Sequence, residues 1–232
     1  MVVGNKSNRN LSAASLEKAG ITEYIDIVEA TPRNTAPAIA FAAFIAEPDD
    51  ILLVTPADYI IQEGPEYSIA VQKAIELAQE DNIVTFGIQL AKPETGFGYI
   101  GYRDETVLSF HEKPNEETAK DFLKQGNFLW NSGMFCFKAG VFLEELKKYS
   151  IRAYELSLAA WQKAEGVHLE EESSLQIPAI SIDYAVMEKS EKIKVVPSNF
   201  AWSDMGSFEA VYDFLKKEGH PVDDSGNMVI GS

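Results

Sequence analysis

Cysteine, histidine and positive charge are all scarce in this 232-residue sequence. Its one cysteine, Cys136, lies within an apolar stretch, so no disulfide framework can form and a buried, inert thiol is expected. The three histidines, His111, His168 and His220, do not have the spacing of metal ligands. The sequence therefore predicts no catalytic arrangement of serine or cysteine with histidine.

Acidic residues outnumber basic residues by 36 to 20, which gives a formal net charge of −16 at pH 7. This charge argues against binding to nucleic acid or to an anionic membrane surface. An anionic substrate would need a cation and a few local lysines or arginines to offset the background charge. The sequence shows no signal-peptide pattern and no apolar run of membrane-spanning length, so a cytoplasmic location is expected.

The order of apolar segments predicts an α/β fold. Strand-like and helical segments alternate from residue 2 to residue 90, as in successive βαβ crossovers. The apolar run at 51–55 should be a strand buried on both faces. A hairpin is predicted around Asp104 and Glu105, a strand at 128–137 and an acidic loop at 166–174.

Two carboxylates follow or precede predicted elements in positions that suit a ligand site. Asp58 comes just after the run at 51–55, and ligands of open α/β sheets bind beyond the carboxyl ends of strands. Asp204 comes just before a predicted helix. Each could hold a metal ion or simply cap a loop or helix. The residues alone leave both alternatives open.

The glycines at 96, 98 and 101 have the spacing of a dinucleotide-binding fingerprint. That fingerprint must open a helix, whereas these residues lead into the predicted hairpin, so a dehydrogenase is disfavoured. Gly96 and Gly98 are better explained by a turn or by close approach of the backbone to a ligand.

Two further groups of polar residues lie at the ends of predicted elements. Arg33, Asn34 and Thr35 precede a helix, where they could cap it or bind an anionic ligand at its N terminus. Glu112 and Lys113 end the hairpin and would point to opposite sides of an extended chain. One could then reach a sugar hydroxyl and the other a phosphate, although, taken alone, an exposed strand end explains them better.

Seven segments stand in the order of one enzyme family's motifs: Pro32-Arg-Asn-Thr-Ala-Pro-Ala-Ile39, Pro56-Ala-Asp58, Pro93-Glu-Thr-Gly-Phe-Gly-Tyr-Ile100, Glu112-Lys-Pro114, Trp130-Asn-Ser-Gly-Met-Phe135, Ser181-Ile-Asp-Tyr-Ala-Val-Met-Glu188 and Trp202-Ser-Asp-Met-Gly-Ser207. Together they resemble the bacterial mannose-1-phosphate guanylyltransferases, a branch of the sugar nucleotidyltransferases. The resemblance implies a Rossmann-like, GT-A-type mixed sheet with helices on both faces. It also implies a catalytic domain at 1–222 and the start of a linker or β-helix at 223–232.

The resemblance implies transfer of GMP from GTP to mannose 1-phosphate, giving GDP-mannose and pyrophosphate. By similarity, Asp58 and Asp204 would hold Mg²⁺ on the phosphates. Lys113 would neutralise the sugar phosphate, and Glu112 would accept hydrogen bonds from mannose hydroxyls. The other implied residues are those of the sugar pocket (Glu94, Gly96, Gly98 and Asn131) and those near guanine and ribose (Arg33, Asn34 and Thr35). Asp183 is interpreted as structural.

One element of the family is not recognisable. Its members carry a loop of the type Gly-x-Gly-Thr-Arg-Leu-Trp-Pro that wraps the triphosphate, and residues 1–20 contain nothing like it. We therefore expect the first strand and this loop to be absent and the chain to have little guanylyltransferase activity. A missing strand would leave a sheet edge that could support a homodimer or aggregation. A non-catalytic sugar-nucleotide-binding paralogue, or a preference for glucose 1-phosphate and another nucleotide, stays an alternative.

Overall fold

The computed structural model describes residues 1–61, 64–205, 208–217, 219–223 and 228. The β-strands are β1 (Val2–Asn5), β2 (Asp26–Glu29), β3 (Ile51–Val54), β4 (Ile60–Ile61), β5 (Ile83–Gln89), β6 (Tyr99–Arg103), β7 (Thr106–His111), β8 (Phe128–Lys138), β9 (Ile193–Ser198) and β10 (Trp202–Ser203). The α-helices are α1 (Arg9–Lys18), α2 (Thr35–Ile45), α3 (Pro65–Gln79), α4 (Glu116–Gln125), α5 (Ala139–Tyr149), α6 (Ile151–Gln162), α7 (Glu171–Gln176) and α8 (Phe208–Lys217). Residues Asp183–Met187 form a π-helical turn. No helix in these described ranges is long and apolar enough to cross a membrane.

A six-stranded mixed sheet of order β3-β8-β5-β9-β7-β6 forms the centre of the fold. Strands β5 and β9 are parallel, and β8 runs antiparallel to both β3 and β5. The carboxyl ends of β3, β5 and β9 therefore lie at the same end of the sheet as the beginning of β8. This is the end at which open α/β sheets bind ligands.

Helices cover both faces of this sheet, as the resemblance implies. Residues alternate between the two faces along a strand, and β8 shows this alternation clearly. Phe135 and Phe137 pack in the cluster formed with α2, α5 and the π-helical turn. Met134 and Cys136 pack in the cluster formed with α3. Cys136 is buried, as predicted, and burial raises the pKa of its thiol to about 11.

The prediction that the run at 51–55 is buried on both faces is wrong. In the described part of the chain, β3 pairs with β8 alone and antiparallel, so it lies at an edge of the sheet. Leu53 is 39% exposed. The error arises because a short apolar run indicates that a strand has hydrophobic surroundings, but it does not indicate the number or direction of the neighbouring strands.

Strands β1 and β2 form a separate parallel pair, and α2 packs against both sheets. Ile39 belongs to the cluster with β8, whereas Phe41 packs with Ile27 of β2. Three short elements were not predicted from the sequence: β4, β10 and α7. Helix α7 begins within the predicted acidic loop. The boundary predicted at 222–223 stays a prediction, because most of 223–232 lies outside the described residues.

Candidate active site

A two-stranded ribbon brings together the two carboxylates predicted to hold a metal. Ser203 of β10 pairs with Ile60 of β4 in the antiparallel direction. Asp58 precedes β4 and Asp204 follows β10, so both lie at the same end of the ribbon. Burial, followed by the charges of these two carboxylates, raises the pKa of Tyr59 above its usual range. The structure thus places Asp58 and Asp204 around one side chain.

The chemistry of this carboxylate pair suits Mg²⁺. That ion commonly binds through one or two carboxylates together with the phosphates of a substrate. Asp58 is exposed and Asp204 is partly exposed, which leaves their oxygens accessible. Within the described ranges, no group of three or more His, Cys, Asp or Glu could hold a metal ion by itself. The donor set therefore fits an open site completed by phosphate oxygens better than a closed structural site.

Aromatic rings connect this carboxylate pair to the loop between β5 and β6. Tyr59 packs edge-on against Trp202 with ring centroids 5.5 Å apart. Phe97 contacts Trp202 at 5.0 Å and Trp130 at 5.4 Å, again edge to face. These contacts fix the β4–β10 ribbon relative to the loop that carries Glu94 and the two glycines.

Glu94 shapes the loop at 93–98. Its Oε1 accepts a hydrogen bond from the N–H of Gly96 at 3.1 Å, and this bond is the main cause that lowers the pKa of Glu94. The Tyr99 hydroxyl donates to the Glu94 carbonyl oxygen at 2.7 Å. Strand β6 begins at Tyr99, so the glycines lead into a hairpin and not a helix, as predicted. The binding of sugar by Glu94 stays a prediction.

Gly98 allows close approach to Glu112. A Cβ built at Gly98 would lie 2.7 Å from Oε2 of Glu112, closer than real Cβ contacts allow. The carbonyl oxygen of Gly98 also accepts from the N–H of Asn131 at 2.8 Å. The loop, the end of the hairpin and β8 thus meet at one glycine, and the predicted close approach of its backbone to a ligand stays a prediction.

Glu112 and Lys113 do not extend to opposite sides, contrary to the prediction. Lys113 has φ of 44°, so the chain is not extended, and its Nζ lies 3.6 Å from Oε1 of Glu112. Burial, followed by the charge of Asp183, raises the pKa of Glu112. The Glu112 side chain is 12% exposed and that of Lys113 is 62% exposed. The lysine therefore remains accessible to an anion beside a largely buried carboxylate.

Asn131 belongs to a buried polar network. Its Oδ1 accepts from the Thr85 hydroxyl at 2.8 Å and from the N–H of Gly133 at 3.3 Å. Its Nδ2 donates to Oδ1 of Asp183 at 3.1 Å. Most of the amide is thus used within the protein, and the arrangement indicates that Asn131 positions Asp183.

Asp183, interpreted from the sequence as structural, lies beside other candidate site residues. It opens the π-helical turn, a local geometry that is frequent at functional sites. Burial is the main cause that raises its pKa, and its charge acts on both Glu112 and Tyr59. The motif that contains it is visible in the sequence, but only the fold shows that Asp183 faces other candidate site residues.

Arg33, Asn34 and Thr35 join α2 to the segment before the π-helical turn. Arg33 Nε donates to the Ile177 carbonyl oxygen at 2.6 Å, and Thr35 Oγ1 accepts from the N–H of Ile182 at 2.9 Å. Asn34, with φ of 72°, accepts from the N–H of Thr35 at 2.8 Å. The capping alternative is therefore confirmed for Asn34. The contacts of Arg33, Asn34 and Thr35 with guanine and ribose stay predictions.

The sequence profile of the Nucleotidyl transferase family matches residues 1–219. The chain belongs to the nucleotidyl transferase family. The predicted resemblance to sugar nucleotidyltransferases is confirmed, and so is the mixed α/β fold with helices on both faces.

Relatives of this nucleotidyl transferase include enzymes named for mannose 1-phosphate. Mannose-1-phosphate guanylyltransferase of Escherichia coli K12 is 40% identical over 233 residues, which cover 92% of this chain and 48% of that protein. The xanthan biosynthesis protein XanB of Xanthomonas campestris is 37% identical over 240 residues, which cover 99% of this chain and 51% of that protein. The chain thus spans about half the length of the curated relatives it matches.

Solved structures resemble this nucleotidyl transferase closely. A crystal structure described as mannose-6-phosphate isomerase from Helicobacter pylori has a TM-score of 0.81 and 38% identity, covering 86% of this chain and 83% of that one. A structure described as mannose-1-phosphate geranyltransferase from Thermus thermophilus has a TM-score of 0.76 and 29% identity, covering 92% of this chain and 64% of that one.

Proposed function

We propose that this nucleotidyl transferase acts on GTP and mannose 1-phosphate to form GDP-mannose and pyrophosphate. The observation that carries the proposal is the β4–β10 ribbon, which has Asp58 and Asp204 at one end. Through Trp202, this ribbon also contacts Phe97 in the loop before Gly98, the glycine that packs against Glu112. The names of the relatives from E. coli and Salmonella support the choice of mannose and guanine.

The reaction as proposed needs no general base. An oxygen of the sugar phosphate attacks the α-phosphorus of GTP, and the bond from that phosphorus to the bridging oxygen of the leaving pyrophosphate breaks. The attacking phosphate is largely ionised at neutral pH, since its second pKa is about 6. The protein must therefore supply alignment and charge neutralisation.

Mg²⁺ is the cofactor that we propose, because the site otherwise presents several carboxylates to anionic substrates. Asp58 and Asp204 would hold it, and when bound it would neutralise phosphate charge. Lys113, which is mostly exposed, would meet the sugar phosphate. Glu112 would accept hydrogen bonds from mannose hydroxyls, and Asp183 would be held beside it by Asn131. A cytoplasmic location and a homodimer belong to the same proposal.

Binding of GDP-mannose tests this proposal directly. Calorimetry should show binding that requires Mg²⁺ and is tighter than binding of UDP-glucose. Replacing Asp58 by Asn should weaken Mg²⁺-dependent binding by roughly tenfold or more, since a contact with a charged partner is lost. Asp121→Asn, an exposed change on α4, is the matched control and should leave binding unchanged. Equal affinity for UDP-glucose, or binding indifferent to EDTA, would contradict the proposal.

Turnover tests the expectation of low activity separately. Pyrophosphate release from GTP and mannose 1-phosphate at saturating Mg²⁺ should be slow for the 232-residue chain, because its sequence has no recognisable triphosphate loop. Rapid turnover would refute this expectation and leave the substrates unchanged. Tight Mg²⁺-dependent binding with no detectable turnover would favour the non-catalytic sugar-nucleotide-binding alternative.

A further inference from the structure

Tyr59 lies where the metal side and the sugar side of the candidate site meet. It follows Asp58 directly, and continuing the β4–β10 register by one residue sets it opposite Asp204. Its ring packs edge-on against Trp202, so the side chain is held by the same ribbon that carries both carboxylates. The mechanism above gives this tyrosine no role.

The hydroxyl of Tyr59 reaches across to β8. A Cβ built at Gly133 would lie 2.7 Å from the hydroxyl oxygen, so only a glycine leaves room for the hydroxyl there. Gly133 has φ of 73°, a conformation that also favours glycine. It is partly exposed within a strand whose neighbouring residues are buried, and its N–H donates to Asn131. The hydroxyl therefore lies over the part of β8 that positions Asn131 and Asp183.

The electrostatic surroundings of this hydroxyl define what it can offer a ligand. Carboxylates act on it from both sides: Asp58 and Asp204 from the metal side, Asp183 and Glu112 from the sugar side. Such a concentration of negative charge repels phosphate groups. A neutral hydroxyl can donate a hydrogen bond to a phosphate oxygen without adding to that charge. Tyr59 as a whole is also partly exposed.

We propose that the Tyr59 hydroxyl donates a hydrogen bond to the phosphate attached to the sugar, and that Tyr59 is a binding residue for the sugar-phosphate half of the substrate. The inference rests on the proposed function, which defines that phosphate. Tyr59 then lies between the phosphates, which are held near Asp58 and Asp204, and the sugar, which is held near Glu112. The adjacent Gly133 is then required so that the hydroxyl can reach this position.

The test compares two ligands and two tyrosine variants. Calorimetry with Mg²⁺ present gives dissociation constants for GDP-mannose, which contains the sugar phosphate, and for GMP, which lacks it. Tyr59→Phe keeps the ring against Trp202 and removes only the hydroxyl. Tyr67→Phe is the matched control, because Tyr67 is also partly buried and packs edge-on against Phe200 in the same hydrophobic cluster.

Tyr59→Phe should bind GDP-mannose roughly 10- to 100-fold more weakly, the loss typical of a hydrogen bond to a charged group, and should bind GMP within about twofold of the unmodified chain. Tyr67→Phe should bind both ligands normally. Should Tyr59→Phe fail to fold, Tyr59→Leu, which also lacks the hydroxyl, should show the same selective loss.

Two results would overturn the inference while leaving the proposed function intact. One is unchanged affinity of Tyr59→Phe for GDP-mannose. The other is an equal loss for GDP-mannose and GMP, since the hydroxyl would then act on the nucleotide half. If the unmodified chain bound GDP-mannose no better than UDP-glucose, the proposed function would fail instead, and the inference with it.

Discussion

Replacing Glu29 by glutamine should change how the stability of the fold depends on pH. Glu29 ends β2, is only 6% exposed, and its Oε1 has no hydrogen-bond partner among the described residues. Burial raises the pKa of this carboxyl from 4.5 to about 7, although a hydrogen bond from the backbone N–H of Arg33 lowers it in part. The folded chain therefore keeps a proton that the unfolded chain has already released.

The sign of the effect follows from proton binding. Between pH 4.5 and pH 7 the folded state binds more protons at Glu29 than the unfolded state does, so the free energy of unfolding falls as pH rises. The contribution of the Glu29 proton to the free energy of unfolding is fully present below pH 4.5 and is lost as the pH rises through 7. A difference of about 2.5 pKa units corresponds to roughly 3 kcal/mol in total, of which about 2 kcal/mol is lost between about pH 5.5 and about pH 8.5.

Urea unfolding at these two pH values measures the effect. The free energy of unfolding of Glu29→Gln, relative to that of the unmodified chain, should increase by about 2 kcal/mol from the lower to the higher pH. This corresponds to a relative shift of about 1 M in the urea midpoint. Any pH-independent cost of burying the amide cancels in this comparison. Glu17→Gln, on the exposed side of α1, is the control and should show no such gain. A stability difference between Glu29→Gln and the unmodified chain that stays constant with pH would refute the reasoning.

Two glycine substitutions should have contrasting effects. Gly87→Ala places a Cβ 2.5 Å from Cδ1 of Leu129 in the buried core, so it should lower the free energy of unfolding by about 1–3 kcal/mol, measured in urea; an unchanged urea midpoint would show that the core accommodates it. Gly98→Ala approaches closer than 3.0 Å only to the carboxylate end of Glu112. It should therefore change the melting temperature little but weaken GDP-mannose binding several-fold, about 0.5–1.5 kcal/mol, in calorimetry; normal binding would mean that Glu112 has no ligand to position.

The parts of the fold that follow from local patterns were predictable from the sequence. Strand β8, the hairpin on either side of Asp104 and the helix that ends near Gly126 all have signals in residues close together in the chain. The edge position of β3 was not predictable in this way, because it depends on β8, which comes more than 70 residues later. The two-residue strands β4 and β10 are too short to carry a periodic signal, yet they place both candidate metal ligands.

The resemblance supplied the candidate residues of the site, whose roles stay predictions, but not their geometry. Asp58 and Asp204 are brought together as the resemblance implies. The predicted orientation of Glu112 and Lys113 to opposite sides was wrong, because it assumes an extended chain and Lys113 has a positive φ. Tyr59 carried no motif signal of its own, since its position depends on contacts with two distant strands.

The shared packing of α2 has a consequence for cooperativity. A two-stranded pair such as β1–β2 is marginal by itself, and it depends on apolar contacts with a supporting element. Here that element is α2, whose buried residues, among them Ile39 and Phe41, belong to the clusters of both sheets. Opening of the β1–β2 pair therefore exposes a helix that also covers β8. The two sheets should behave as one unit in hydrogen exchange, so that amides of β2 and β8 exchange through a common opening.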